Sequence, residues 1–247
     1  MGRLVEGHWH DEWYDTESTG GAFKREDAGF REQVGEGMRH PPESGRYHLY
    51  VSLACPWAHR TLIMRKLKGL EQHIDVTVSH PHMLEGGWRY DPPEPLYGFA
   101  HHHQLYTRDK PNYTGRVTVP VLWDKQTESI VNNESAEILR IFNSAFNTLT
   151  GNTDDYYPEL LREEIDRINE RVYHDINNGV YKAGFATKQQ AYEKACLALF
   201  AALDWVEELL ATRRYLTGER ITEADWRLFT TLVRFDPVYH GHFKCNI

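Results

Sequence analysis

Cysteine is scarce in this chain. Its 247 residues include only Cys55, Cys196 and Cys245, odd in number and far apart. A disulfide framework is thereby excluded, and a reducing cytosol fits best. No C-x-x-C pair and no H-x-x-x-H pair occurs, so a zinc site built on either spacing is not supported. The sequence also lacks any apolar stretch of 18 residues, which predicts no membrane span. Residues 1–10 contain no apolar core of the kind a secretory signal needs. There is no run of Lys and Arg. The formal net charge is −8, from 36 acidic and 28 basic residues, which argues against a nucleic-acid binder working through a basic face. No internal repeat is visible. What is abundant is apolar and aromatic material: 40% hydrophobic residues and 13% aromatics. That suffices for a substantial core, and the length suits two modest domains or one large one.

The most informative run is Tyr47-His48-Leu49-Tyr50-Val51-Ser52-Leu53-Ala54-Cys55-Pro56-Trp57-Ala58-His59-Arg60. Tyr47, Leu49 and Val51 alternate with His48, Tyr50 and Ser52, the pattern of a strand. Pro56 suits the first turn of a helix, where no amide hydrogen is needed. Leu62, Ile63, Leu67 and Leu70 continue with helical spacing. A cysteine between the two sits where unpaired N–H groups and the helix dipole favour an anion. Those forces lower a thiol pKa and make the thiolate the reacting form. The alternative is a buried core cysteine. Ala58 stands where a two-cysteine redox motif would have its second thiol. Such a site can form a mixed disulfide but needs an external thiol to resolve it. Glutathione is the obvious partner.

Residues 1–46 are polar, aromatic and punctuated by Gly and Pro, and read as an extension that wraps the surface or is partly mobile. Residues 47–150 carry alternating strand and helix patterns. Ile74, Val76 and Val78 predict a second strand, and 118–123 a third that contains Val119-Pro120. A turn at Lys125-Gln126-Thr127 leads to a hairpin partner at 128–131. Asn132-Asn133-Glu134-Ser135 opens a helix with Ile138, Leu139 and Phe142 on its apolar face. This order, β-α-β then hairpin and helix, is thioredoxin-like. Between the second and third strands, 79–115 form a long insert rich in Pro, Tyr and His, including His101-His102-His103. A loop of this length is usually functional. Residues 151–247 read as all-helical. Leu161, Ile165, Ile168, Val172 and Ile176 form one apolar stripe. Tyr192, Cys196, Leu199, Leu203, Val206 and Leu210 form another, which makes Cys196 a core residue. Thr222 and Asp225 are spaced as a helix capping box, flanked by Ile221 and Trp226 at staple positions.

Several of these motifs agree with one family. Cys55-Pro56-Trp57-Ala58-His59-Arg60, Arg116-Val117-Thr118-Val119-Pro120 and Asn133-Glu134-Ser135-Ala136-Glu137-Ile138 resemble the xi-class glutathione transferases, the glutathionyl-hydroquinone reductases. So do Asn178-Gly179-Val180-Tyr181-Lys182-Ala183-Gly184-Phe185-Ala186 and Thr222-Glu223-Ala224-Asp225-Trp226. The resemblance runs from the N-terminal extension to the last residue. It implies an α/β thioredoxin-like domain followed by an all-α domain. Family members continue for several tens of residues, with further helices and another tyrosine. By that measure the chain looks like a truncated copy.

The resemblance also implies roles. Cys55 is the nucleophile, Tyr181 the proton donor, and Tyr239 a tyrosine that stabilises the thiolate. Trp88 contacts glutathione. The run Arg116, Val117, Thr118 and Val119 flanks it, with Val119 offering its backbone beside a cis-proline. Glu134 and Ser135 hold the γ-glutamyl end at a helix start, a place suited to a carboxylate. Ser135 also reads as a plain helix cap, and Trp88 as an anchor of the insert. Glutathione enters as co-substrate, with no permanently bound cofactor and no metal. The expected assembly is a homodimer in the cytoplasm, acting on glutathionyl-hydroquinones. Two alternatives remain open: an omega-like thiol transferase or dehydroascorbate reductase, and a non-catalytic glutathione-binding fragment.

Overall fold

The computed structural model describes residues 2–247 and divides the chain into two units. Residues 1–13 and 26–154 make the first; residues 14–25 and 155–247 make the second. The N-terminal extension is thus shared between them. Among the described residues, no helix is long and apolar enough to cross a membrane.

The first unit opens with a hairpin that the sequence did not announce. β1 (Arg3–Val5) pairs antiparallel with β2 (His8–His10) through a turn at Glu6 and Gly7. Gly7 has φ +80°, and a Cβ there would lie 2.0 Å from the Pro111 carbonyl oxygen, so only glycine fits. β3 (Tyr47–Ser52) is one of the two inner strands of a four-stranded sheet. All six of its residues are buried, because helices and insert cover both faces and the alternation separates two interiors rather than core from water. α1 (Pro56–Leu67) follows at once. Its buried face is Ala58, Thr61 and Met64, with Arg60 buried beside them, whereas Leu62, Ile63 and Leu67 are only half-buried. The apolar spacing thus located the helix, while its most buried side chains lie elsewhere on it.

β4 (Ile74–Ser79) lies parallel to β3, with Leu49 opposite Val76. Here too the face differs from the expectation: Thr77 and Ser79 are buried while Val78 is exposed. The insert is not structureless. It contains α2 (His103–Asp109), a seven-residue helix whose buried Leu105 and Tyr106 are too few to show a period. β5 (Gly115–Arg116) then joins β1 as the third strand of the small sheet. β6 (Val121–Asp124) starts three residues later than 118–123 suggested. Pro120 cannot donate a ladder hydrogen bond, and the Thr118 backbone is bonded to a side chain instead. The Val119-Pro120 peptide is cis. β7 (Ser129–Asn132) closes the hairpin, giving the order β4-β3-β6-β7. α3 (Ser135–Ser144) and the short α4 (Asn147–Thr150) complete the unit, with Ile138, Leu139 and Phe142 inward as expected.

One polar knot pins the entry to β3. Asp124 is fully buried. It accepts from Arg46 Nε at 2.9 Å, bonds His40 Nδ1 at 2.8 Å, and accepts the Gln126 amide at 2.8 Å and the Thr127 amide at 3.3 Å. Burial alone would raise its pKa. The Arg46, His40 and amide bonds outweigh that and hold it near about 2.

The second unit is helical. α5 (Arg162–Arg171) runs into a π-helical turn at Val172–Asn177, then α6 (Gly179–Gly184), α7 (Gln189–Leu210) and α8 (Glu223–Leu232). A second π turn spans Phe235–His240. Ile165, Ile168, Val172, Ile176, Val180, Leu199, Ala202 and Leu228 form its core. Cys196 is buried on α7, as its stripe implied, whereas Leu210 is exposed at the helix end. The Thr222 amide donates to the Asp225 carboxylate at 2.8 Å, the capping arrangement read from the spacing.

Candidate active site

The strand-to-helix turn puts Cys55 at the N-cap of α1, with Pro56 at the first helical position. Its backbone is extended, φ −84° and ψ 119°, and its sulfur accepts the Ala58 amide at 3.5 Å. A cap sulfur that receives a helix amide is stabilised as the anion by the same bond and by the dipole. The thiol also reaches the Val119 carbonyl, with Sγ 3.5 Å from the oxygen. Two residues 64 apart in sequence are therefore in contact. Cys55 is buried, with 9% of its surface exposed. Cys245 differs: it is fully buried, and burial, with Cys196 nearby, raises its pKa to about 12.

Glu134 and Ser135 form a second helix start. Glu134, not Ser135, is the N-cap of α3, and its carboxylate accepts the Ala136 amide at 3.0 Å. The Ser135 hydroxyl is donated to Glu134 Oε1 at 3.5 Å and accepts from Arg60 Nη1 at 3.3 Å. Arg60 comes from α1, is buried, and stacks over Trp57 at 4.6 Å. It ties the cysteine helix to α3, a role the sequence pattern did not reveal.

The remaining residues of this unit fall into two groups. Trp88 is buried, and its carbonyl accepts the His102 amide at 2.8 Å. Val117 is buried in the cluster formed with Tyr50, Tyr106 and Trp123. The Arg116 guanidinium donates to the carbonyls of Gly2, Glu12 and Trp13, each at 3.3 Å, and so holds the N-terminal segment. Thr118 is bound on both sides of its backbone by Tyr106. The phenol donates to the Thr118 carbonyl at 2.9 Å and accepts from its amide at 3.2 Å. Tyr106 Oη also accepts from Asn133 Nδ2 at 3.1 Å. His102 Nε2 lies 3.0 Å from the same carbonyl, and its Nδ1 lies 2.6 Å from the Tyr90 hydroxyl. The His-rich insert therefore buttresses the segment before Val119. His101 and His103 are stacked rings at 5.3 Å, and Trp9 also stacks on His103 at 5.0 Å.

Tyr181 and Tyr239 belong to the second unit. Tyr181 lies on α6 just after one π turn, and Tyr239 lies within the other. π turns of this kind recur at functional positions. Their rings meet edge to face at 6.1 Å, and both pack on Phe243, at 5.6 and 5.2 Å. Gly184 makes room for Phe243, since a Cβ there would lie 2.1 Å from the ring. The Arg25 guanidinium stacks on Tyr181 at 4.8 Å, and its Nε donates to Asn178 Oδ1 at 2.6 Å. A cation on a phenol ring favours release of the phenolic proton.

Comparison with known proteins identifies the relatives of this chain. Residues 54–145 match the model of the glutathione S-transferase N-terminal domain, and residues 189–246 that of the C-terminal domain. The glutathionyl-hydroquinone reductase PcpF of Sphingobium chlorophenolicum is 55% identical, over 100% of this chain and 80% of its own length. The glutathione-bound structure of YqjG, a glutathione transferase homologue from Escherichia coli, superposes with a TM-score of 0.88 at 50% identity, over 99% of this chain and 78% of that one. A glutathione S-transferase omega-like 2 of Schizosaccharomyces pombe is 50% identical over 94% of this chain and 78% of its own length.

Proposed function

The chain belongs to the glutathionyl-hydroquinone reductases, the xi class of the glutathione transferases, and on that premise we propose that it reduces glutathionyl-hydroquinones through a Cys55–glutathione mixed disulfide. The observation that carries this reading is Cys55 itself: a helix-capping sulfur with Ala58 in place of a resolving thiol. The Cys55 thiolate attacks the sulfur of the glutathionyl-hydroquinone. A sulfur–sulfur bond forms, and the carbon–sulfur bond breaks with its electron pair going to the aromatic carbon. That carbon takes a proton, for which Tyr181 is the donor. A second glutathione thiolate then attacks the mixed disulfide. Oxidised glutathione leaves and Cys55 returns as thiolate. One thiol completes the cycle, so Cys196 and Cys245 are spectators.

In this reading the tripeptide is held by Trp88, by the Val119 backbone, and by Glu134 and Ser135. Arg116, Val117 and Thr118 flank it. The Val119 carbonyl, 3.5 Å from the sulfur, accepts a hydrogen bond from Cys55 while it is a thiol and becomes available to a glutathione amide once the thiolate forms. Tyr239 supports the thiolate. Glutathione is a co-substrate, with no resident cofactor or metal. The protein works in the cytoplasm as a homodimer. The decisive experiment is mass spectrometry after incubation with a glutathionyl-hydroquinone and no free glutathione. One glutathione adduct on Cys55 is expected. Turnover with an unmodified Cys55 would contradict the mechanism.

The omega-like name of the fission-yeast relative favours a second reading, glutathione-dependent reduction of dehydroascorbate or of protein mixed disulfides. Parallel turnover on a glutathionyl-hydroquinone and on dehydroascorbate separates the two.

A further inference from the structure

The phenol of Tyr106 sits between two segments of the glutathione half. On one side is Thr118, the residue before Val119. On the other is Asn133, the residue before Glu134. A phenol oxygen has one proton to donate and two lone pairs. Here the proton goes to the Thr118 carbonyl at 2.9 Å, and the lone pairs take the Thr118 amide and Asn133 Nδ2, with the Thr118 hydroxyl a longer fourth neighbour at 3.4 Å. Its capacity is full. The Thr118 carbonyl in turn accepts a second bond from His102, which fixes the imidazole as the Nε2–H tautomer. His102 Nδ1 then accepts from the Tyr90 hydroxyl. Asn133 is held independently, its amide donating to the Phe30 carbonyl and its Oδ1 accepting from the Phe30 amide, both at 3.1 Å.

Every member of this chain of bonds except Thr118 and Phe30 is buried. A tyrosine that only filled the core would not need its hydroxyl at the meeting point of three bonds. Nor would core filling place those bonds on the two residues that precede the glutathione contacts. We infer that Tyr106, with His102 behind it, is a positioning residue for glutathione: its oxygen sets the spacing between the Val119 backbone and the Glu134–Ser135 helix start. The inference rests on reading those three residues as glutathione contacts. Burial lowers the His102 pKa to about 4, so its tautomer and its bond to Thr118 persist across the physiological range. Burial also keeps Tyr106 protonated, as the donor the Thr118 carbonyl requires. Such a network is directional, and a lost hydroxyl leaves two backbone groups and one amide to rearrange.

The test is calorimetric titration with glutathione of the full chain carrying Tyr106→Phe, beside Tyr47→Phe and Ser135→Ala. Tyr47 is the control: it is a buried tyrosine of the same unit whose hydroxyl donates to the Pro41 carbonyl at 2.6 Å. Tyr106→Phe should weaken glutathione about tenfold, the size expected when buried groups lose one partner. KM for glutathione should rise while kcat and the rate of Cys55 alkylation hold. Tyr47→Phe should bind as wild type. Wild-type affinity in Tyr106→Phe beside a weakened Ser135→Ala would overturn the positioning role alone. Wild-type affinity in both would remove the assignment of the glutathione contacts, and this inference with it. Equal losses in Tyr106→Phe and Tyr47→Phe would mean general loosening and would also overturn it. A second pair of variants leaves the phenol untouched. His102→Leu should weaken binding, and His102→Gln, whose amide can still donate to Thr118, should recover most of it. A Gln variant no better than Leu would overturn the part given to His102.

Discussion

The two units hold their candidate residues by opposite means. In the first, Cys55, Val119, Glu134 and Ser135 are fixed by caps, backbone groups and short directional bonds. In the second, Tyr181 and Tyr239 are held by rings: Phe243, Phe185 and the Arg25 guanidinium surround Tyr181 at 4.8 to 5.7 Å. Hydrogen bonds weaken steeply with misalignment, whereas ring packing tolerates adjustment. A polar framework suits a peptide, whose amides and carboxylates must be met at fixed points. An aromatic one suits a flat ring that can vary in its substituents. Damage to the first framework at any point but the reacting sulfur should therefore appear as lost glutathione affinity, and damage to the second as lost rate.

The largest expected effect breaks the first framework at its reacting atom. Cys55→Ser should abolish turnover, because an alkoxide is not accessible at neutral pH. Cys196→Ser and Cys245→Ser, with their thiols in the helical core, should retain it. Steady-state assays of the three variants decide this. Next comes the aromatic framework: Tyr181→Phe should slow turnover by ~10²–10⁴, the usual worth of a general acid. Iodoacetamide should still label Cys55 at the wild-type rate. Normal turnover would make Tyr181 structural. Ser135→Ala should sharpen the contrast by weakening glutathione about tenfold with little change in kcat.

A polar network outside the site gives a smaller, pH-dependent effect. Asp124 is held near about 2, below its unfolded value of ~3.9. Its contribution of about 2 kcal/mol is complete above the unfolded value and lost as pH falls through the folded one. Urea unfolding of wild type and Asp124→Asn should differ most at pH 7 and converge towards pH 2, with glutathione affinity at neutral pH unchanged. A gap independent of pH would contradict the assignment. The smallest effect concerns the thiol. Its alkylation rate should inflect below the ~8.5 of a free cysteine, because the sulfur caps α1. An inflection at or above that value would mean that burial outweighs the cap.

Much of this was legible along the chain. The strand, Cys-Pro and helix sequence located the start of α1, and Thr222 and Asp225 marked the start of α8, because caps and prolines act locally. Faces were less legible. Val78 is exposed and Thr77 buried, and α1 turns Thr61 and Met64 inward in place of Leu62 and Ile63. Those choices depend on what lies across the sheet or helix. The insert was least legible. Tyr106 and His102 act on Thr118 from 12 and 16 residues away, through side chains whose partners are backbone atoms. Backbone atoms leave no mark in a sequence. Arg60 was hidden for the same kind of reason, since its partner Ser135 is 75 residues distant.

The second unit is discontinuous, and this has a consequence for how the chain is made. Residues 14–25 belong to it, yet they leave the ribosome far ahead of everything they pack against. Arg25 waits for Asn178, 153 residues later, and Thr16 for Thr187, 171 residues later. At ~5–20 residues per second, that interval is roughly ten to thirty seconds. Throughout it Phe23 and Tyr14 have no ring to meet from the later part of the chain. The flanking segments, 1–13 and 26–154, can settle in the meantime around a looped-out strap. Tyr181 therefore gains its cation only after residues 178–187 have been made, when an early segment and one more than 150 residues later finally join.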